Sequence, residues 1–168
     1  GLISLHQRQT EDNPTFERDI IAPFLHFTGE LVTGLSLELD SMAQVGAVNA
    51  RQHMAWMVGG RLKYTLGSME TKPFFTVLYE QSSGEACTGE YTNGASCTGE
   101  KSQAFFAFYG RNHFFRGIAD RVGGTNVRDL SAGIGFTPAK GLSVGIDWHH
   151  FQLVNLQGAW YRNNGSVV

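Results

Sequence analysis

Between Asn126 and Phe151 apolar and polar residues alternate in two long runs joined by Pro138-Ala139-Lys140-Gly141. In the first run Leu130, Ala132, Ile134 and Phe136 share one face, and Asp129, Ser131, Gly133 and Gly135 share the other, which is the period of two that a strand imposes. The second run sets Leu142, Val144, Ile146 and Trp148 against Ser143, Gly145, Asp147 and His149. Pro at the first turn position and Gly closing the turn predict a hairpin. Each run is about twice the five or six residues usual in soluble strands and near the nine to eleven that cross a bilayer at a tilt.

The same pattern recurs upstream. Gly1–Arg8 reads as a strand, Thr10-Glu11-Asp12-Asn13-Pro14 as a polar loop, and Ile20–Leu31 as a second strand in which Pro23 predicts a bulge or a position near the rim. Val32-Thr33-Gly34 turns the chain into Leu35-Ser36-Leu37-Glu38-Leu39-Asp40, with the leucines on one face and Ser and acids on the other, continuing through Met42 and Gln44 to a break near Gly46–Asn49. Arg51–Leu66 sets Met54, Trp56, Val58, Leu62 and Tyr64 against His53, Arg61, Lys63 and Thr65. Pro73–Gln81 carries Phe75, Val77 and Tyr79 on one face, and Ser82 to about Thr125 reads as irregular.

The connections also form a pattern: 10–19 polar, 32–34 short, 46–50 intermediate, 67–72 short, 82–125 very long, 138–141 short. Successive connections of a membrane barrel lie on opposite sides, short turns periplasmic and long loops extracellular. Every short turn falls on one parity. The expected fold class is therefore all-β, an antiparallel transmembrane β-barrel with seven or eight strands visible as one domain over 1–168, and with 82–125 as a long extracellular loop.

Composition permits this reading. Among 168 residues 17 % are charged and the net charge is −2, so no nucleic-acid surface is indicated. Apolar content is 42 %, and in a barrel only alternate residues meet lipid, so ordinary hydropathy is expected. No signal peptide precedes Gly1, and Leu156–Arg162 begins a further strand, so the chain is expected to be a fragment of a larger barrel.

Candidate chemistry falls on two places. Cys87 and Cys97 bracket an Asn93-Gly94 turn, with Cys-Thr-Gly-Glu at both ends. This suggests a small hairpin clipped by a disulfide; the rival metal or redox reading has two thiols ten positions apart without a nearby His. The second place is the lumen, which on this parity receives His6, Arg8, His26, Glu30, Glu38, Asp40, Gln44, His53, Arg61, Lys63, Glu80, Asp129, Asp147 and His149, six acids against three Lys and Arg. Arg61 and Lys63 are the candidate contacts for an anionic solute, with Glu38, Asp40, Arg8, Asp147 and His149 as further lumenal positions. The competing reading pairs Arg61 and Lys63 with Glu38 and Asp40 across strands, which merely fixes the wall. His149 and His150 are adjacent on a strand and point to opposite faces, so they form neither a dyad nor a chelate. No nucleophile elbow, phosphate loop or zinc-protease signature occurs, and neither Cys belongs to a haem-attachment motif. No enzyme and no cofactor are expected.

Three blocks resemble the alginate-export family of Gram-negative outer-membrane barrels: Leu35–Gly46, Pro73–Glu85, and His113, Phe115, Gly117, Asp120 and Asn126 followed by Trp148-His149-His150-Phe151. The resemblance runs from about Ala22 to Phe151, with Glu85 where the family has Asp, Phe115 and Trp148 where it has Tyr, and the cysteine-bearing insertion as departures. It implies a barrel of about eighteen strands that passes an anionic polysaccharide passively through a basic lumen in the outer membrane. The acid excess here gives no support for a polyanion preference, because a pore selects by the sign of its charged rings. Expected partners are outer-membrane lipid, a solute in the lumen and a periplasmic or outer-membrane protein. Three other classes stand beside the channel: a barrel acting as a sheath around a partner, a soluble sandwich or carrier barrel whose core would take Leu35, Leu37 and Leu39, and, less favoured, an outer-membrane enzyme with His149, Asp147 and His53 grouped at the extracellular rim.

Overall fold

The computed structural model describes residues 1–8, 17–49, 51–87, 100–107, 122–162 and 167–168, with backbone only for 2–8 and 17. It contains β1 (Leu2–Arg8), β2 (Glu17–Val32), β3 (Leu35–Val48), β4 (Arg51–Thr65), β5 (Phe74–Ser82), β6 (Lys101–Ser102), β7 (Val127–Ala139) and β8 (Leu142–Leu153). Seven of them pair in the order β1-β2-β3-β4-β5-β7-β8, each antiparallel to its neighbour. The eighth, β6, pairs in parallel with the start of β4 at Gln52 and His53. Among the described residues β1 and β8 are the open ends of this order; they do not pair with each other.

Register turns the alternation of single strands into two continuous surfaces. One cross-strand row runs Leu37, Leu62, Val77, Ala132, Trp148. The next runs Glu38, Arg61, Leu78, Ser131, His149 and lies on the opposite face. The predicted faces of β3, β4, β5, β7 and β8 are those observed: Leu39, Trp56, Val77, Ile134 and Ile146 are all exposed apolar residues. In β2 the change of face is abrupt, since Ile20 is fully buried and Ile21 is 48 % exposed. A sheet whose large apolar side chains face outward on one whole side is matched to an apolar surround, not to water.

Five local details differ from the sequence reading. Leu156–Arg162 does not begin a further strand: bends and turns follow β8 over 154–158, and Tyr161 makes only an isolated bridge with Val167. Pro23 causes no bulge: the β2–β3 pairing is interrupted between Ile21 and Phe24 and resumes in the same register, and the irregularity lies instead at Glu30/Val32. Pro138 is a strand residue beside a register shift between Phe136 and Ala139, and the turn itself is Lys140-Gly141 with Gly141 at φ 81. The break expected near 46–49 is a tight connection, because β3 runs to Val48, β4 starts at Arg51, and Asn49 adopts φ 49, a left-handed conformation that Asn tolerates. A short connection therefore also occurs on the side of the long ones, and the sorting of turns by parity is less strict than expected. Lastly, the connection after β5 is not irregular throughout, since it contributes β6.

Gly46 sits inside β3 at φ 151, and a Cβ there would lie 2.0 Å from the Asp19 carbonyl oxygen. Glycine is required by both conformation and space. Gly46→Ala is expected to cost about 1–3 kcal/mol in urea unfolding of the micelle-bound protein. Gly67, around which a Cβ meets nothing within 4 Å, should accept Ala with a change within about 0.5 kcal/mol.

Candidate functional site

The inner face is a set of polar rungs stacked along the strands. The first contains Ser36, Lys63, Thr76, Gly133 and Asp147; the second Glu38, Arg61, Leu78, Ser131 and His149; the third His26, Asp40, Gly59, Glu80, Asp129 and Phe151. Directly opposed side chains in an antiparallel sheet lie within contact distance, so register alone dictates most of the pairs seen. Arg61 Nη2 is 3.7 Å from Glu38 Oε2. His26 Nδ1 is 2.7 Å from Asp40 Oδ1. Lys63 Nζ lies 4.2 Å above the Phe74 ring centroid, a cation–π contact on the wall.

Small residues make room for these groups. A Cβ on Gly133 would come within 1.9 Å of Asp147 Oδ1, and one on Gly59 within 3.3 Å of Glu80 Cγ. Asp147 accepts a 3.4 Å hydrogen bond from Thr76 Oγ1. Glu80 and Asp129 are 1 % and 0 % exposed and directly opposed across β5 and β7. His149 Nδ1 is 2.8 Å from Asp129 Oδ2 on this face, whereas His150 stacks on Trp148 at 5.8 Å on the other. The two histidines thus serve different surfaces, and no dyad forms between them.

Of the sequence candidates, Glu38, Asp40, Arg61, Lys63, Asp147 and His149 share the inner face. Arg8 does not align with them. It pairs in register with Glu17, in line with Asp19 and Ile21, not with the buried Ile20, and His6 likewise pairs with Asp19. The alternation within β1 does not fix its phase relative to β2, because the residues between them carry no period. The side chains of His6 and Arg8 lie outside the described residues.

At one end of this face the connection after β5 folds inward onto the wall. Gln44, fully buried, grips the backbone of Phe106 from both sides: its Nε2 donates to the Phe106 carbonyl at 2.6 Å and its Oε1 accepts from the Phe106 N–H at 3.0 Å. The Phe106 ring packs with Ile20 and Val48, lies 5.2 Å from the His53 ring and sits beneath the Arg18 guanidinium at 4.7 Å. His53 Nδ1 is 3.1 Å from Ser102 Oγ. Arg51 donates to Glu85 at 2.6 Å, and Glu85 Oε2 accepts from the Gln103 N–H at 3.0 Å.

The base of the connection is tied by Asn126, fully buried at φ 58. Its side chain donates to the Asn155 and Ala159 carbonyls at 3.0 and 3.3 Å and accepts from the Asn155 N–H at 2.7 Å. Gly84 is pressed so close to this side chain that a Cβ would lie 2.0 Å from Asn126 Oδ1. Sequence reasoning missed Arg18, Arg51 and Phe106. Arg51 was within reach, because it shares the odd, inward phase of His53 in β4; Phe106 carried no signal, because a loop has no period to extrapolate.

The predicted disulfide involves one described residue. Cys87 is 4 % exposed and its carbonyl accepts from the Tyr161 hydroxyl at 3.0 Å. Cys97, with the rest of the predicted 87–97 hairpin, lies outside the described residues.

Strands of 12 to 16 residues in β2, β3, β4, β7 and β8, apolar outside and polar inside, define the wall of a membrane β-barrel. The sequence profile described as alginate export matches residues 3–168, and the chain belongs to that family of outer-membrane export channels. Neither the curated proteins nor the solved structures gave a match.

Gln44→Leu removes both bonds to Phe106 and leaves two backbone groups to be resatisfied, each worth about 1–3 kcal/mol when buried. The connection should detach while the sheet persists. Limited proteolysis is expected to cut within 82–126 about tenfold faster, with the heat-dependent mobility of the folded barrel on gels unchanged.

Proposed function

We propose that this chain forms part of the wall of an outer-membrane channel in a Gram-negative cell envelope, through which a hydrophilic solute passes passively along the polar rungs. The observation that carries this reading is the inner face itself: ionised and hydrogen-bonding side chains in successive rungs, with a connection clamped over one end. Polar groups stacked along a lumen are what a diffusing hydrophilic solute exchanges its hydration for. The clamped segment narrows that end, on the side of the long connections, which in this family of folds is extracellular.

An anionic solute is the reading that the family description and the cations on the wall support. Arg61 and Lys63 occupy neighbouring rungs and are the groups through which an anionic sugar polymer would engage this face. Glu38, 3.7 Å from Arg61, and the wall's other acids hold any anion preference down. Selectivity by this part of the wall is therefore modest.

Planar-bilayer conductance of the full-length protein, with reversal potentials in a salt gradient and added oligouronates, tests the proposal. Stable channels blocked by oligouronates are expected, and Arg61→Gln with Lys63→Gln should weaken the block about tenfold while single-channel conductance changes little. A correctly folded barrel that never conducts would overturn the open channel and leave a sheath around a partner protein as the reading. Cys87 and Cys97 are proposed to form a disulfide that clips the connection in an oxidising compartment. Intact mass after alkylation should rise by two adducts only when a reductant is added first.

A further inference from the structure

We infer that His26, Glu38 and Asp40 form a binding site for a borderline divalent transition ion of the Zn2+ type on the inner face of β2 and β3. Backbone register brings the three together. His26 and Asp40 are directly opposed, and Glu38 precedes Asp40 by two residues on the same face, opposite Thr28. One donor atom from each lies within 4.8 Å of the others. A bound ion at about 2.0–2.2 Å from each donor requires donors about 3–3.5 Å apart, a contraction within reach of the flexible Glu38 side chain.

Pairing of His26 with Asp40 across the strands accounts for one carboxylate oxygen only. Asp40 Oδ1 meets His26 Nδ1 at 2.7 Å. Its Oδ2 is buried and has no hydrogen-bond partner among the described residues. A buried carboxylate oxygen without a donor is costly, and such groups call for an ion or a water. A dication supplies the missing partner and replaces the proton shared by His26 and Asp40. Arg61, 3.7 Å from Glu38 Oε2, holds that carboxylate from the neighbouring strand, as outer groups orient metal ligands.

The donor set selects the kind of ion. One imidazole nitrogen with two carboxylates suits Zn2+, Co2+ or Ni2+, whereas Ca2+ and Mg2+ favour oxygen alone. Three protein ligands leave at least one position for solvent, as in open zinc sites. The His26 and Asp40 side chains are 33 % and 18 % exposed, so ions can reach them from the inner face. The site stands on geometry of the sheet and does not depend on what the channel transports.

The test is titration of the EDTA-treated, refolded full-length protein in detergent with ZnCl2 by calorimetry and with CoCl2 by visible absorption. One site per chain is expected, with a cobalt spectrum of nitrogen and oxygen ligation, retained in millimolar CaCl2. Asp40→Asn and His26→Ala should each weaken binding at least tenfold, with His26→Gln as a second variant should His26→Ala fail to fold. His150→Gln, on the outer face, should leave binding unchanged. Absence of binding at millimolar ion, equal binding by the Asp40 and His26 variants, or displacement by equimolar CaCl2 would each overturn the site.

Discussion

Each strand in this sheet must satisfy two surroundings at once, because its side chains alternate between an apolar exterior and a polar interior while its backbone can be satisfied only by neighbouring strands. Pairing is the constraint on which the rest depends. Once β2, β3, β4 and β5 are hydrogen-bonded in register, Glu38 must face Arg61, and His26 must face Asp40. The polar wall is thus a product of register, and a slip of one residue in any strand would exchange its lipid face for its lumenal one.

The polar face is crowded in a particular way. Two of the three rungs set a glycine beside an acid on the next strand, Gly59 beside Glu80 and Gly133 beside Asp147. The glycines give up packing of their own so that a long carboxylate side chain lies across the sheet surface. Where larger groups face inward near the far end, they are engaged by the connection after β5: Gln44, His53 and Arg18 all meet Ser102 or Phe106. The wall is most exposed in the rung of Ser36, Lys63 and Asp147 and buried where the connection lands, at Gln44, His53 and Phe106.

Most of the sheet was legible in the sequence because a period of two over a dozen residues is a strong signal, and the apolar faces of β3, β4, β5, β7 and β8 were read correctly from it. What the alternation could not carry was phase across a loop, so His6 and Arg8 were placed on the face opposite to the one their register indicates. Turn positions differ where local chemistry allows two solutions: Pro138 fits both a turn and a strand bulge, and the left-handed Asn49 lets β3 run on to Val48 through the break expected near Gly46–Asn49. The pairs of the inner face were half visible. Arg61 with Glu38 follows from neighbouring strands, but the grip of Gln44 on Phe106 joins residues 62 positions apart, a distance over which no periodicity speaks.

Asn126 has a consequence for how such a wall is assembled. By holding Asn155 and Ala159 beside the first residues of β7, it closes the β7–β8 hairpin at the end opposite its Lys140-Gly141 turn. The hairpin becomes a loop sealed at both ends, built wholly from contacts near in sequence. Units of this kind form faster than pairings between distant segments. The edge of β8, fixed in register by β7, carries backbone groups that no other strand pairs among the described residues.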